Sequence, residues 1–437
     1  MGLKRYYMET YGCSLSEFDS LTMASILEAR GYTRAETPEE ADVVIVNTCA
    51  VRLDTEYRMV ERITDLRGRA RRLVVAGCLA KSRPGLVSRI APEASLVSPQ
   101  NASRIMEVVE TGGRVVLLQG SRDTSWMPVP PLRDRVATVM IEEGCLNDCS
   151  FCISKHARRE LKSYPPRLIV ETVSRLVERG AREIRLTGLD TAAYGRDLPG
   201  KPTLADLVSM ILDRVEGDYR IRVGMMTPEL VLDILDDLLD VYRDERVFKF
   251  FHIPVQSGDD GVLKIMKRRY TVSEFKRLHA RVKALFPDSM FATDIIVGHP
   301  GEGEEEFMAT VRLVKELQFE RVHLAQYSIR PHTRAAAMRQ VPDPVKKERS
   351  RTLMRTIEEI GERIHRRYVG MKLKALVTER SFRSWSMTAR LDNYFPVVLP
   401  LREELMGKWV DVVVKDASFF DLRGSVEGER VETVDIV

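Results

Sequence analysis

Long apolar stretches are missing: no run in the 437 residues approaches the roughly 18–20 needed to span a membrane. The N-terminus, Met1 to Tyr6, runs straight into a strand-like segment and carries no signal-peptide pattern. Gly2 lacks the Ser or Thr a few positions on that myristoylation requires. These absences predict a cytoplasmic protein with no membrane partner. Asparagine is scarce, confined to Asn47, Asn101, Asn147 and Asn393, while Arg and Glu abound, a bias of thermophilic proteins. An excess of one charge is also lacking, the net being only +4. Local basic clusters (Arg67, Arg69, Arg71 and Arg72; Lys346, Lys347, Arg349, Arg351 and Arg355) read equally well as solvated helix faces. Cysteine is limited to Cys13, Cys49, Cys78, Cys145, Cys149 and Cys152, which in a reducing compartment points to metal or catalysis rather than to disulfides.

What is present is an apolar fraction of 44% and enough length for two or three domains. The fold class is α/β, with an N-terminal open parallel-sheet domain, a central partial (βα)6 barrel and a small C-terminal all-β barrel. Residues 1–125 alternate strand and helix signals: Lys4–Thr10, Ala41–Val46 and Leu73–Ala76 as strands, Phe18–Ala29 and Glu56–Leu66 as helices. Residues 126–135 contain the Pro-rich stretch Trp126–Pro131 and read as a linker. Across 136–369 six strands are predicted: Val136–Ile141, Glu183–Thr187, Arg220–Gly224, Phe248–Pro254, Met290–Val297 and Arg321–Tyr327. Long helices such as Leu168–Arg179 and Glu304–Leu317 separate them, and a basic helix from Val345 to about Arg367 follows. Six βα units suggest an incomplete barrel with its chemistry at the C-terminal strand ends. Residues 370–437 alternate short strands (Lys374–Thr378, Met387–Leu391, Tyr394–Val398, Trp409–Val414) in the manner of an oligonucleotide-binding barrel.

The cysteines fall into two sets. Cys13, Cys49 and Cys78 each sit just past a predicted parallel strand, the edge where open α/β sheets bind ligands, so three thiols distant in sequence should converge. Cys145-Leu-Asn-Asp-Cys149-Ser-Phe-Cys152 follows the first barrel strand. Three thiolates so close can hold three irons of a cubane cluster and leave the fourth open. Zinc is the competing reading, but no partner pair of ligands is visible to complete four.

This C-x3-C-x2-C loop resembles that of the radical S-adenosylmethionine superfamily. Within it, Gly12-Cys13, Asn47-Thr48-Cys49 and Gly77-Cys78 look like the methylthiotransferases, which end in a TRAM-like RNA-binding barrel. Further segments are similar to the archaeal and eukaryotic threonylcarbamoyladenosine tRNA methylthiotransferase type. They are Gly144–Cys152, Lys155–Arg158, Leu186–Asp197, His252–Gly258, Met266–Tyr270 and Asp294–Gly298 with Pro300–Glu302. Departures are Leu189, His299 in place of a usual Phe, Ala50, Arg52 and the segment Ser328–Arg334. The eukaryotic members often end in a hydrophobic anchor; without one at Val437, the archaeal type is expected.

The resemblance implies two [4Fe-4S] clusters, S-adenosylmethionine, a tRNA anticodon loop as partner, an electron donor and a sulfur donor. One cofactor molecule would methylate a sulfur held at the Cys13/Cys49/Cys78 cluster. Another, at the Cys145/Cys149/Cys152 cluster, would yield the radical that abstracts the adenine C2 hydrogen, a bond no acid–base side chain can activate. Phe151, Gly188, Asp190, Gln256, Ser257 and Asp294 are candidates for cofactor binding near the barrel mouth. Lys155, Arg158 and Arg159 are candidates for anticodon-loop phosphates. Phe382, Trp385, Tyr394 and Phe395 would grip an RNA strand or form barrel core. The alternatives are an isopentenyladenosine or ribosomal-protein substrate, or an RNA-binding protein with structural metal sites.

Overall fold

The computed structural model describes residues 4–381 and 385–427. The central strands of the first sheet, Val43–Thr48 and Leu73–Gly77, are buried along their whole length, as strands covered on both faces by helices must be. Six parallel strands stand in the order Thr33–Arg34, Arg5–Thr10, Val43–Thr48, Leu73–Gly77, Ser95–Val97, Val116–Leu117. The chain therefore reverses direction across the sheet between Arg5–Thr10 and Val43–Thr48, and the crevice beyond their C-terminal ends is a topological switch point. Cys13 and Cys49 follow these two strands directly.

In the second body two three-stranded parallel sheets lie edge to edge. One holds Val136–Met140, Glu183–Thr187 and Arg220–Val223, the other Phe250–His252, Met290–Val297 and Arg321–Gln326. A bridge between Ile221 and Val247 joins them. Sequential strands are neighbours throughout, so the sheet curls into an incomplete six-stranded barrel. A short extra hairpin, Glu142–Glu143 with Lys162–Ser163, brackets the cysteine loop. Gly144, before Cys145, has φ +100°, and a Cβ there would collide with the Glu160 carbonyl. The turn into the loop thus depends on glycine.

The third body is a closed barrel of five strands, Lys372–Arg380, Ser386–Arg390, Pro396–Pro400, Leu422–Val426 and Trp409–Ala417. The expected strand Tyr394–Val398 starts later, because Tyr394 sits in a turn at φ +71°, and Leu422–Val426 is an additional strand. This barrel packs on the N-terminal ends of the central strands, opposite the cysteine loop. Tyr394 donates to Glu183 Oε1 at 2.6 Å, Arg185 to Glu379 Oε1 at 2.7 Å and Asn393 to the Asp288 carbonyl at 2.9 Å. The helix Asp343–Arg366 braces both, burying Leu353, Ile357, Ile360 and Ile364. Among the described residues no helix is long and apolar enough to cross a membrane.

Four buried charges seam the first two bodies together. Asp19 lies on the helix Ser14–Ala29, Arg122 follows the first sheet, and Glu143 and Arg158 flank the cysteine loop. Each arginine pairs with both carboxylates: Arg122 reaches Glu143 at 2.6 Å and also Asp19, while Arg158 reaches Glu143 at 2.7 Å and also Asp19. All four side chains are at most 3% exposed. Arg158 is therefore not a phosphate ligand; it is sealed between domains. The Arg330–Glu56 pair ties the departing segment Ser328–Arg334 to the first body in the same way.

Removing one member leaves the others uncompensated, so Arg158→Ala is expected to destabilise the protein by about 3–5 kcal/mol. Denaturant unfolding measures this. A phosphate contact would instead reduce the slope of log affinity for RNA against log salt by about one, and that slope is expected to stay unchanged.

Candidate active site

Three thiols meet at the switch point of the first sheet. Cys13 is exposed at the start of the helix Ser14–Ala29, whereas Cys49 and Cys78 are buried. A Cβ at Gly12, at φ +131°, would crowd Ser16 and the Cys49 side chain, and one at Gly77, at φ +91°, would collide with Asn47 and the Thr48 backbone, so both turns depend on glycine. Burial pushes the Cys78 thiol up to about 12; Arg158 pulls it down, and the nearby Cys13 and Cys49 raise it again. Arg158 thus serves the seam and also faces a thiol. Cys13 and Cys49 line a cavity of about 800 Å³ on the outer side of this domain.

The loop Cys145–Cys152 forms a second meeting point at the C-terminal end of the central barrel. Burial pushes the Cys145 thiol up to about 12, with Asp190 and the other two cysteines adding to the rise. Donors aim at these sulfurs: the Asn147 backbone N–H to Cys145 Sγ at 3.4 Å and Arg268 Nη1 to Cys149 Sγ at 3.2 Å. Such N–H···S contacts favour thiolates. The two bodies touch beside these sets: Ser14 Oγ, next to Cys13, is 3.0 Å from Thr187 Oγ1 at the end of the second barrel strand.

Neither triad has the spacing of a single metal ion. Among the described residues, the one set of three His, Cys, Asp or Glu ligand atoms within 4.8 Å of one another is His252, Asp294 and His323. Thiolates around one tetrahedral zinc sit roughly 3.8 Å apart, given a Zn–S bond of about 2.3 Å. Neither cysteine set meets that compact spacing.

The candidates near the barrel mouth divide. Asp190 is fully buried, accepting from Thr227 N at 2.9 Å and from Thr227 Oγ1 at 2.6 Å, and burial pushes its carboxyl up. Gly188 is there for space, since a Cβ would run into Glu142. Gln256 stands at φ +67° with Oε1 buried and unpaired, and Ser257 is buried, its hydroxyl 3.5 Å from Thr310 Oγ1. Asp294, on the strand Met290–Val297, is partly exposed. Burial raises its carboxyl, but hydrogen bonds from His252 at 2.7 Å and His323 at 2.9 Å outweigh that and hold it below the usual carboxylate range. Phe151 meets His299 edge-on at 6.0 Å, and His299 also hydrogen-bonds Ser150 at 3.1 Å. Burial lowers the His299 pKa to about 4, so the ring is neutral and takes the place of the Phe expected there.

Of the proposed phosphate ligands, Lys155 pairs with Asp148 at 3.0 Å beside the loop and Arg159 is exposed. Both line a cavity of about 500 Å³ that reaches Cys149 and Cys152, with Arg334 and Lys81. In the C-terminal barrel Trp385 is 55% exposed, but Tyr394 and Phe395 are core, and Phe382 lies outside the described residues. Sequence reasoning missed Glu229 and gave Arg268 no role. Both Glu229 oxygens and Arg268 Nη2 are buried without a hydrogen bond, 3.5 Å apart and beside Cys149. Orphaned atoms of both signs next to an open cluster site suit a ligand bearing an amino and a carboxylate group, as S-adenosylmethionine does.

Comparison with known proteins agrees with this geometry. Residues 139–314 match the Radical SAM superfamily, residues 366–426 the TRAM domain, and residues 5–98 the family described as Uncharacterized protein family UPF0004. Radical SAM membership implies a [4Fe-4S] cluster and S-adenosylmethionine. A Pyrococcus horikoshii protein named probable threonylcarbamoyladenosine tRNA methylthiotransferase is 38% identical over 97% of this chain and 99% of its own. A protein of the same name from Archaeoglobus fulgidus is 38% identical over 98% and 99%. The Homo sapiens threonylcarbamoyladenosine tRNA methylthiotransferase is 34% identical over 100% of this chain and 76% of its own. A radical S-adenosylmethionine methyltransferase from Kitasatospora setae shares the fold at TM-score 0.60 and 12% identity, over 77% of this chain and 75% of that one. With a third or more of its residues identical to these relatives along nearly its whole length, the chain belongs to the threonylcarbamoyladenosine tRNA methylthiotransferase family.

Proposed function

We propose that this protein attaches a methylthio group to C2 of N6-threonylcarbamoyladenosine at position 37, in the anticodon loop of tRNA. Two [4Fe-4S] clusters serve it, one held by Cys145, Cys149 and Cys152 and the other by Cys13, Cys49 and Cys78. The observation that carries this reading is that one chain sets three cysteines after the strands of the first sheet and three after the first barrel strand, in two bodies that touch where Ser14 Oγ lies 3.0 Å from Thr187 Oγ1. When bound, the clusters and S-adenosylmethionine supply the radical chemistry and the sulfur, fed by an electron donor and a sulfur donor.

The chain's own residues bind, orient and shield. Glu229 and Arg268 offer the unfilled hydrogen bonds for the cofactor's amino and carboxylate groups, and the buried Asp190 fixes Thr227 at the same strand end. Gln256 contributes its unpaired amide oxygen from a strained backbone position. His299 holds Phe151 beside the cluster loop. Cys13 is the exposed member of its set and so the one a base can reach. An anticodon loop suits such a site because its unpaired bases can be splayed out singly. Lys155 and Arg159 stand close enough to the cysteine loop to meet its phosphates.

Anaerobic reconstitution of the wild type is expected to give about eight irons, falling to about four when either cysteine set is replaced by alanine. Nucleoside analysis of tRNA is expected to show the 2-methylthio product with the wild type alone, and 5′-deoxyadenosine lost only when Cys145, Cys149 and Cys152 are removed. One zinc per set, or a wild type that leaves threonylcarbamoyladenosine unchanged, overturns the reading. Separately, Glu229→Gln in the reconstituted protein is expected to weaken S-adenosylmethionine binding by about tenfold or more in calorimetry, with iron content retained.

A further inference from the structure

Inside the central barrel, a cavity of about 820 Å³ extends between its strands and the C-terminal barrel, walled in part by Arg222, Phe250, Arg321, His323, Arg390 and Tyr394. A second cavity of about 810 Å³ begins at Ser14 and Thr187 and shares Arg222, Arg390 and Tyr394 with the first. The two form one passage from the neighbour of Cys13 down into the barrel interior.

The charges along this passage are unevenly satisfied. Arg185 pairs with Glu183 at 2.6 Å and Glu379 at 2.7 Å, and Arg390 with Glu379 at 2.9 Å. Arg222, at the shared wall, has neither a hydrogen bond nor an ion pair among the described residues. It lies over the Phe250 ring at 4.6 Å and the Tyr394 ring at 5.9 Å, and its Nε is buried without an acceptor. Burial pushes its pKa down, and Arg185 adds to the fall. Arg321 makes no ion pair among the described residues either; it donates to the Phe420 carbonyl at 2.7 Å. The acid on the lining, Asp421, is taken up by Ser418 at 2.7 Å and by Arg423 at 3.6 Å. Asp294, nearby, already accepts hydrogen bonds from His252 at 2.7 Å and His323 at 2.9 Å. A guanidinium held in place by aromatic faces, with its Nε buried and no acceptor on the protein, is costly to keep unless a ligand supplies the anion. Its planar fork matches a carboxylate.

We propose that Arg222, assisted by Arg321, receives the carboxylate of the amino-acid substituent on N6 of the substrate adenine. This rests on the function proposed above. In the adenine ring C2 and C6 flank N1, so a base that turns C2 toward Cys13 sends its N6 substituent away along the passage. An isopentenyl group, which carries no charge, gains nothing from this wall, so Arg222 is the residue that selects the carboxylate-bearing base.

The test uses the reconstituted full-length protein and three anticodon stem–loops, carrying threonylcarbamoyladenosine, its neutral carboxamide analogue or plain adenosine, with affinity read by fluorescence anisotropy. The wild type is expected to prefer the carboxylate over the carboxamide by on the order of tenfold to a hundredfold. In Arg222→Met, which keeps a stem against Phe250, the ratio is expected to fall to within about threefold of unity. Arg321→Gln is expected to lower it part of the way, and serves if the first variant fails to retain its iron. A wild type indifferent to carboxylate against carboxamide, or variants that discriminate as the wild type does, overturns the assignment. Methylthiolation by the wild type is followed in parallel: if it proceeds while discrimination is absent, the pocket is wrong and the function stands, and if it never occurs, the function itself falls.

Discussion

The buried square of Asp19, Arg122, Glu143 and Arg158 is the constraint on which the arrangement of the site depends. Apolar packing alone would hold the first two bodies together, but it is non-directional and tolerates sliding. Two guanidiniums each gripping the same two carboxylates permit one relative placement. Arg158 stands six residues beyond Cys152 in the chain and its side chain faces Cys78, so it ties the segment after one cysteine set to a thiol of the other. A shift at this seam would change the distance between the two places where chemistry is proposed to occur, while leaving each internally intact. A site divided between two domains needs such a fixed seam more than it needs added stability, and buried ion pairs are better at the former.

A second constraint comes from below. The C-terminal barrel covers the N-terminal ends of the central strands, and its Arg390 and Tyr394 project into the interior beside Arg185 and Glu183. An incomplete six-stranded barrel would otherwise be open at that end. Capped, it has a floor, and the depth of the passage from Ser14 to Arg222 is set by where that floor lies. The domain that resembles an RNA-binding module therefore also shapes the interior of the catalytic one, which explains why Tyr394 and Phe395 are core rather than contact surface.

Much of this was legible in the residues. Parallel strands buried on both faces must be continuously apolar, so Val43–Thr48 and Leu73–Gly77 announce themselves, and a cysteine after each is then placed at a ligand-binding edge. The Cys145–Cys152 spacing carries its own chemistry. What could not be read was which charges are buried. Arg158 looks like any basic residue near a loop, because its partner Asp19 is 139 positions away and its burial is a property of the assembled seam. Leu422–Val426, Leu-Arg-Gly-Ser-Val, lacks the alternation that marks a strand and pairs only because the barrel closes around it. Glu229 is invisible for a related reason: its orphaned oxygens are defined by what surrounds them.

The treatment of buried arginine separates structure from function across the molecule. At the seams and under the barrel each reaches a carboxylate: Arg122 and Arg158 in the square, Arg330 on Glu56, Arg349 on Glu302, Arg185 and Arg390 on Glu379. These pairs cost desolvation on both sides and return a fixed geometry. Arg268, beside Cys149, is only loosely matched, with Glu229 at 3.5 Å and one nitrogen unfilled. Arg222, along the passage, is matched by aromatic rings alone. A fold that supplies carboxylates to so many of its interior guanidiniums has the means to supply one here. Leaving Arg268 short at the cluster loop, and Arg222 with its neighbour Arg321 short along the cavities, reserves their hydrogen bonds for groups that arrive with a ligand.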